Sequence, residues 1–149
     1  QDSEELIETI DYCRFPPAGK RGVAYSRANL FGQNFRAYCK EAQNPIIVVM
    51  IESIKAVQNL EEILEVKGID AILIGPYDLS ASIGYFEKFE SLKFKRIIEV
   101  IKNKTLKKKK ICGIHVVDFN KEKLKEKIND GFNFIAYSMD TVVLRNYKK

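Results

Sequence analysis

The sequence predicts an α/β fold built on a parallel sheet. Two apolar runs, 46–51 and 71–75, are rich in Ile, and each is followed closely by a lone carboxylate, Glu52 and Asp78. Runs of this length with polar borders read as strands buried on both faces, the pattern of parallel sheets. Strand-like and helix-like segments also alternate along the chain, which requires crossover connections. With 149 residues, 46% of them hydrophobic, the chain is one domain, 1–149, with its own core.

Each element has a local reason. Positions 2–12 carry helical spacing through Leu6, Ile7 and Ile10, and Pro16 and Pro17 stop that helix. A second helix is expected over 27–42, with a break at Gly32. After the first strand, Ile54, Val57, Leu60, Ile63 and Leu64 fall on one face of a helix over 53–65. A short turn or helix follows Gly75, and then a helix over 88–104. Residues 111–117 form the third strand, and 121–130 a helix stopped by Gly131. The fourth strand is 132–137, and Asp140 caps a last helix. An eight-stranded barrel takes about 250 residues, so four such units are either an open α/β domain or part of a barrel.

Composition removes several function classes. No run approaches the roughly 18 apolar residues of a membrane span, and no signal-peptide pattern is present, so a cytoplasmic chain without a membrane partner is expected. The net charge of +5 owes much to Lys102, Lys104 and Lys107 to Lys110, a cluster that reads as a solvated helix end. It lacks the arginine and aromatic interleaving of a nucleic-acid surface, and no nucleic-acid partner is expected. Cys13, Cys39 and Cys112 lack zinc-site spacing and read as reduced core thiols.

Acids arriving at the carboxyl ends of successive parallel strands suggest a site for a hard cation, because ligands gather at that edge. Taken singly, Glu52 could be a salt-bridged acid and Asp78 a helix cap. Three motifs place them in a common context: Phe15-Pro-Pro-Ala-Gly-Lys-Arg-Gly22; Met50-Ile-Glu52 with the following 56–64; and 68–84, containing Gly75-Pro-Tyr-Asp78. Together, and in this order, they resemble the HpcH/HpaI family of metal-dependent pyruvate aldolases over about residues 4–147.

The resemblance implies the C-terminal four strand–helix units of a TIM (β/α)8 barrel, incomplete as given. It implies a carbon–carbon lyase that cleaves or forms 2-keto acids through a pyruvate enolate, in a homo-oligomer acting on a 2-keto acid and an aldehyde. It assigns Glu52 and Asp78 as ligands of a divalent cation (Mg2+, Mn2+ or Co2+) and the Gly75, Pro76, Tyr77 and Asp78 turn as the cradle of the substrate carboxylate. Met50 stands where several relatives carry a glutamine that touches substrate, and a thioether cannot donate that bond. Arg21 is a candidate for carboxylate recognition or a surface contact. His115, the only histidine, is either packed in the strand or turned to the substrate pocket. The family's catalytic histidine and arginine have no match in this chain, so no catalytic residue is assigned. The alternatives are a non-catalytic metal- or keto-acid-binding remnant serving as an interaction module, and a free-standing flavodoxin-like domain.

Overall fold

The computed structural model describes residues 2–147. Helix α1 (Ser3–Cys13) starts at Asp2, whose carboxylate accepts from the Glu5 amide at 3.1 Å. The chain then doubles back, with Lys20 N donating to Asp11 O at 2.7 Å and Arg21 N to Arg14 O at 2.8 Å.

The helix expected over 27–42 is two pieces, a 3-10 turn (Arg27–Gly32) and α2 (Phe35–Glu41). The cause is Asn29, which is fully buried. Its side-chain oxygen accepts from Ser26 N at 2.9 Å and Gly32 N at 3.0 Å, while its amide donates to Ala24 O at 2.8 Å. Such bonds offer the backbone an alternative to helix. Leu30 and Phe31 both take φ of 53° as the chain passes around that side chain. The helix expected over 53–65 also divides, at Asn59, into α3 (Ile54–Gln58) and α4 (Leu60–Glu65), and Ser53 caps α3 by accepting from Ala56 N.

Strands β1 (Val48–Ile51), β2 (Ala71–Ile74), β3 (Ile111–Val116) and β4 (Phe134–Tyr137) form one parallel sheet in the order β1-β2-β3-β4. Between them run α5 (Pro76–Ser82), α6 (Leu92–Lys107) and α7 (Lys121–Asn129), and α8 (Asp140–Tyr147) follows β4. Helix α6 begins later than expected because Ser91 supplies the cap, accepting from Phe94 N.

Register explains the core. Ile51, Ile74, Ile114 and Ile135 are paired across the four strands, so their side chains share one face. Ile51, Ile74 and Ile114 are buried there, in one cluster with Leu60, Ile63, Leu79 and Ile101. Each fully buried side chain of this size contributes about 1.5–3 kcal/mol. The other face carries the row Met50, Leu73, Gly113 and Phe134. Here the expectation of strands buried on both faces holds for β2, which has no exposed residue, and is corrected for β1, where Val48 is 40% and Met50 50% exposed. The described helices clothe a single face, and the four strands do not close on themselves.

Candidate metal and substrate site

Alternation along β1 decides what points at the open face. Met50 lies on it, and Glu52, two residues on, follows at the strand's carboxyl edge. Gly75 leaves β2 beside it, donating its amide to Ile51 O at 3.2 Å. A Cβ built on Gly75 would lie 3.3 Å from Glu52 Oε2 and 3.6 Å from Met50 Sδ. The Glu52 carboxylate therefore rests against the bare backbone of Gly75.

Helix α5 begins at once, with Pro76 in its first turn, where the missing N–H costs nothing. Gly75 has no side chain to cap that turn. Asp78 lies in the same turn and is exposed. The aromatic face of Tyr77 is held edge-on by Phe89, with ring centroids 5.0 Å apart.

Met50, Gly75, Pro76, Tyr77, Asp78 and His115 line one open depression of about 290 Å3, with Val117 and Met139 on its rim. Glu52 lines the adjoining depression toward α1 together with Met50, so Met50 separates the two hollows. Arg21 lies elsewhere. Its Nη2 donates to Tyr38 Oη at 2.9 Å, and its guanidinium stands over the Phe15 ring at 5.0 Å, which accounts for its charge by contacts within the 15–38 segment. His115 is half-buried, and its Nε2 lies 3.2 Å from the carbonyl oxygen of Ser138.

Sequence reasoning did not find Ser138, which sits just past β4 with φ of 58° in a region that disfavours side chains. A small polar residue after a strand carries no signal of such a backbone. It also missed the rim residues Val117 and Met139, which look like ordinary strand-end residues.

The donors suit a hard cation. Glu52 and Asp78 stand near the carboxyl ends of neighbouring strands but line different hollows, and carboxylate oxygens are the donors that a hard cation takes. Among the described residues there is no cluster of three His, Cys, Asp or Glu that would complete a coordination shell. Cys112 is remote in character: it is buried, and burial pushes its thiol up to about 11, against a smaller opposing effect of its bond with Thr105.

A parallel strand–helix sheet with its polar groups gathered at the carboxyl edge defines a unit of the (β/α)8 barrel class. The HpcH/HpaI aldolase/citrate lyase family model matches residues 1–146, and the chain belongs to that family. It is 36% identical over 145 residues to the 2-keto-3-deoxy-L-rhamnonate aldolase of Salmonella schwarzengrund (strain CVM19633), a match that covers 95% of this chain and 53% of the relative. Among solved structures, it superposes with a TM-score of 0.86 and 25% identity on an HpcH/HpaI aldolase/citrate lyase family protein from Burkholderia cenocepacia J2315, covering 99% of this chain and 58% of that one. An HpcH/HpaI aldolase from Desulfitobacterium hafniense DCB-2 gives 0.82 and 25%, with 99% and 57% covered. The chain thus spans about half the length of the relatives it matches. The expected fold class, four strand–helix units of a barrel, is borne out.

Proposed function

We propose that the chain is the metal- and keto-acid-binding part of a divalent-metal pyruvate aldolase, a lyase that joins or cleaves 2-keto acids. The observation that carries this reading is that Glu52 covers the space a side chain at Gly75 would take, one turn ahead of Asp78, at the carboxyl edge of the parallel sheet. Glu52 and Asp78 would hold the cation, magnesium, manganese or cobalt. When bound, it supplies Lewis-acid stabilisation of negative charge on a keto-acid oxygen.

The chain's own groups do the rest of the positioning. The amides of Tyr77 and Asp78, in the uncapped first turn of α5, are oriented to donate to the carboxylate of the keto acid. Met50 and Met139 add apolar lining to the depression that His115 also lines, and His115 would stand on the aldehyde side. Arg21 is left as a residue that braces its loop for a substrate carboxylate or a subunit contact. The same reading makes the protein a cytoplasmic homo-oligomer without nucleic-acid or membrane partners. Lys104 and Lys108 of the basic run pair with Glu61 and Glu65, which supports reading that run as a solvated face and not a nucleic-acid surface.

The test is proton exchange. Pyruvate in deuterium oxide with magnesium and the protein should lose its methyl proton signal, and Glu52→Gln or Asp78→Asn should abolish both the exchange and manganese binding followed by water-proton relaxation. Wild-type protein that is folded but binds no manganese refutes the proposal.

A further inference from the structure

Tyr77 is held from two sides by the segment that follows α5. Its carbonyl oxygen accepts from Ser80 Oγ at 2.7 Å, and the same Oγ accepts from Glu87 N at 3.2 Å. Ser80 is fully buried, so its hydroxyl gives one bond and takes one in a shielded place, where such bonds are strong. Tyr85 N also donates to Ser80 O at 2.8 Å, and Gly84 and Glu87 take φ of 74° and 57° in the reversal that brings the chain back to Ser80. The ring of Tyr77 meets Phe89 edge-on, and Phe89 in turn meets Phe94 in the first turn of α6, with centroids 5.4 Å apart.

Helix α5 depends on such support. It is seven residues long and no side chain caps its start, and so short a helix is marginal on its own propensity. The Tyr77 carbonyl and the Asp78 amide belong to one planar peptide unit, so fixing the carbonyl fixes the point from which the Asp78 side chain sets out.

Resting on the metal-binding reading above, we propose that Ser80 and Phe89 are positioning residues for Asp78. The segment 84–91 grips the main chain of Tyr77 through Ser80 and its ring through Phe89, and the affinity of the neighbouring carboxylate for a divalent cation depends on that grip. Neither Ser80 nor Phe89 touches the cation. Supports of this kind are worth about 10–100-fold in metal affinity.

Manganese titrations followed by water-proton relaxation, with amide hydrogen exchange beside them, make the test. Ser80→Ala should speed exchange at the Glu87 amide and weaken manganese binding by about tenfold or more. Phe89→Ala should weaken it by a similar factor, while Phe89→Tyr, which keeps the ring edge, should bind as the wild type does. Asn29→Ala removes buried bonds within the 24–32 segment and should leave manganese affinity unchanged, which separates a local grip from a general loss of stability. Where Ser80→Ala fails to fold, Phe89→Ala against Phe89→Tyr decides alone. Unchanged Glu87 exchange in a folded Ser80→Ala protein, wild-type manganese affinity in Ser80→Ala and Phe89→Ala, or a loss that Asn29→Ala shares overturns this inference and leaves the metal-binding reading standing. Wild-type protein that is folded but binds no manganese overturns both.

Discussion

Replacing Gly75 with alanine should damage metal binding and spare the fold. Gly75 sits at φ −92°, ψ 95°, which alanine can adopt, so the backbone is not strained. The new methyl would lie 3.2 Å from Glu52 Cβ and 3.3 Å from Oε2, tighter than ordinary carbon contacts. Glu52 is half-buried at the sheet edge and is able to move aside. Overpacking there costs about 1 kcal/mol, and the less flexible unfolded chain returns about 0.4–1 kcal/mol, so stability should hardly change. The carboxylate pays differently, because metal–ligand distances tolerate only about 0.2 Å. Displacing it by a few tenths of an ångström should weaken manganese binding about 10–100-fold, the range seen when a ligand's support is removed. Water-proton relaxation titrations of Gly75→Ala and of Gly22→Ala, whose methyl would meet nothing within 4 Å, make the comparison. A folded Gly75→Ala protein with wild-type manganese affinity would refute the reasoning.

Three further outcomes follow from named contacts. Asn29→Ala leaves two amides and one carbonyl without their buried partner and should cost about 2–4 kcal/mol, read as faster hydrogen exchange at the Ser26 and Gly32 amides; unchanged exchange there refutes the role given to Asn29. Ser138→Gly removes a side chain from a left-handed position and a buried hydroxyl without a hydrogen-bond partner, and should stabilise by about 1 kcal/mol in urea unfolding. Cys112 is held protonated by burial, its thiol raised from 9.0 to about 11. The folded state therefore keeps a proton that the unfolded chain releases, so this contribution is whole below about pH 9 and is lost as pH rises toward 11, with a slope of about 1.4 kcal/mol per unit. Urea midpoints across that interval should fall less steeply in Cys112→Ala.

The legible part of the molecule is the part governed by periodicity and by motif. The isoleucine row at 51, 74, 114 and 135 arises from apolar runs, and all four strands stand where the runs predict. Glu52 and the Gly75 to Asp78 turn stood out only through the motifs that hold them, since singly each acid has an ordinary use at a strand's end or a helix cap. What was not readable depends on contacts between distant positions. Helical spacing over 27–42 could not reveal that Asn29 would satisfy the backbone sideways and break the helix. Arg21 reads as an anion binder because guanidinium chemistry suits carboxylates, yet Phe15 and Tyr38 engage it first. Ser138 carries no pattern at all, since its part is played by its main chain.

The two faces of the sheet separate stability from chemistry. Along β1, Val49 and Ile51 face the helices while Val48 and Met50 face away, and the same alternation sets Ile114 and Val116 apart from Gly113 and His115 on β3. Core burial is thus invested in one set of positions and the depression is lined by the other. Gly113 shows how far this goes: a Cβ there would meet Phe134 Cδ1 at 2.6 Å, so the open face is shaped by close approach of a ring to backbone and has little room for change. Glu52, Asp78 and His115 lie beyond or opposite the isoleucine row and bury little apolar area against it. Isosteric changes such as Glu52→Gln and Asp78→Asn should therefore leave unfolding midpoints within about 0.5 kcal/mol of wild type, the usual range for surface positions. Loss of manganese binding in such variants then reports on the acids themselves, because the core that holds them in place does not depend on their charge.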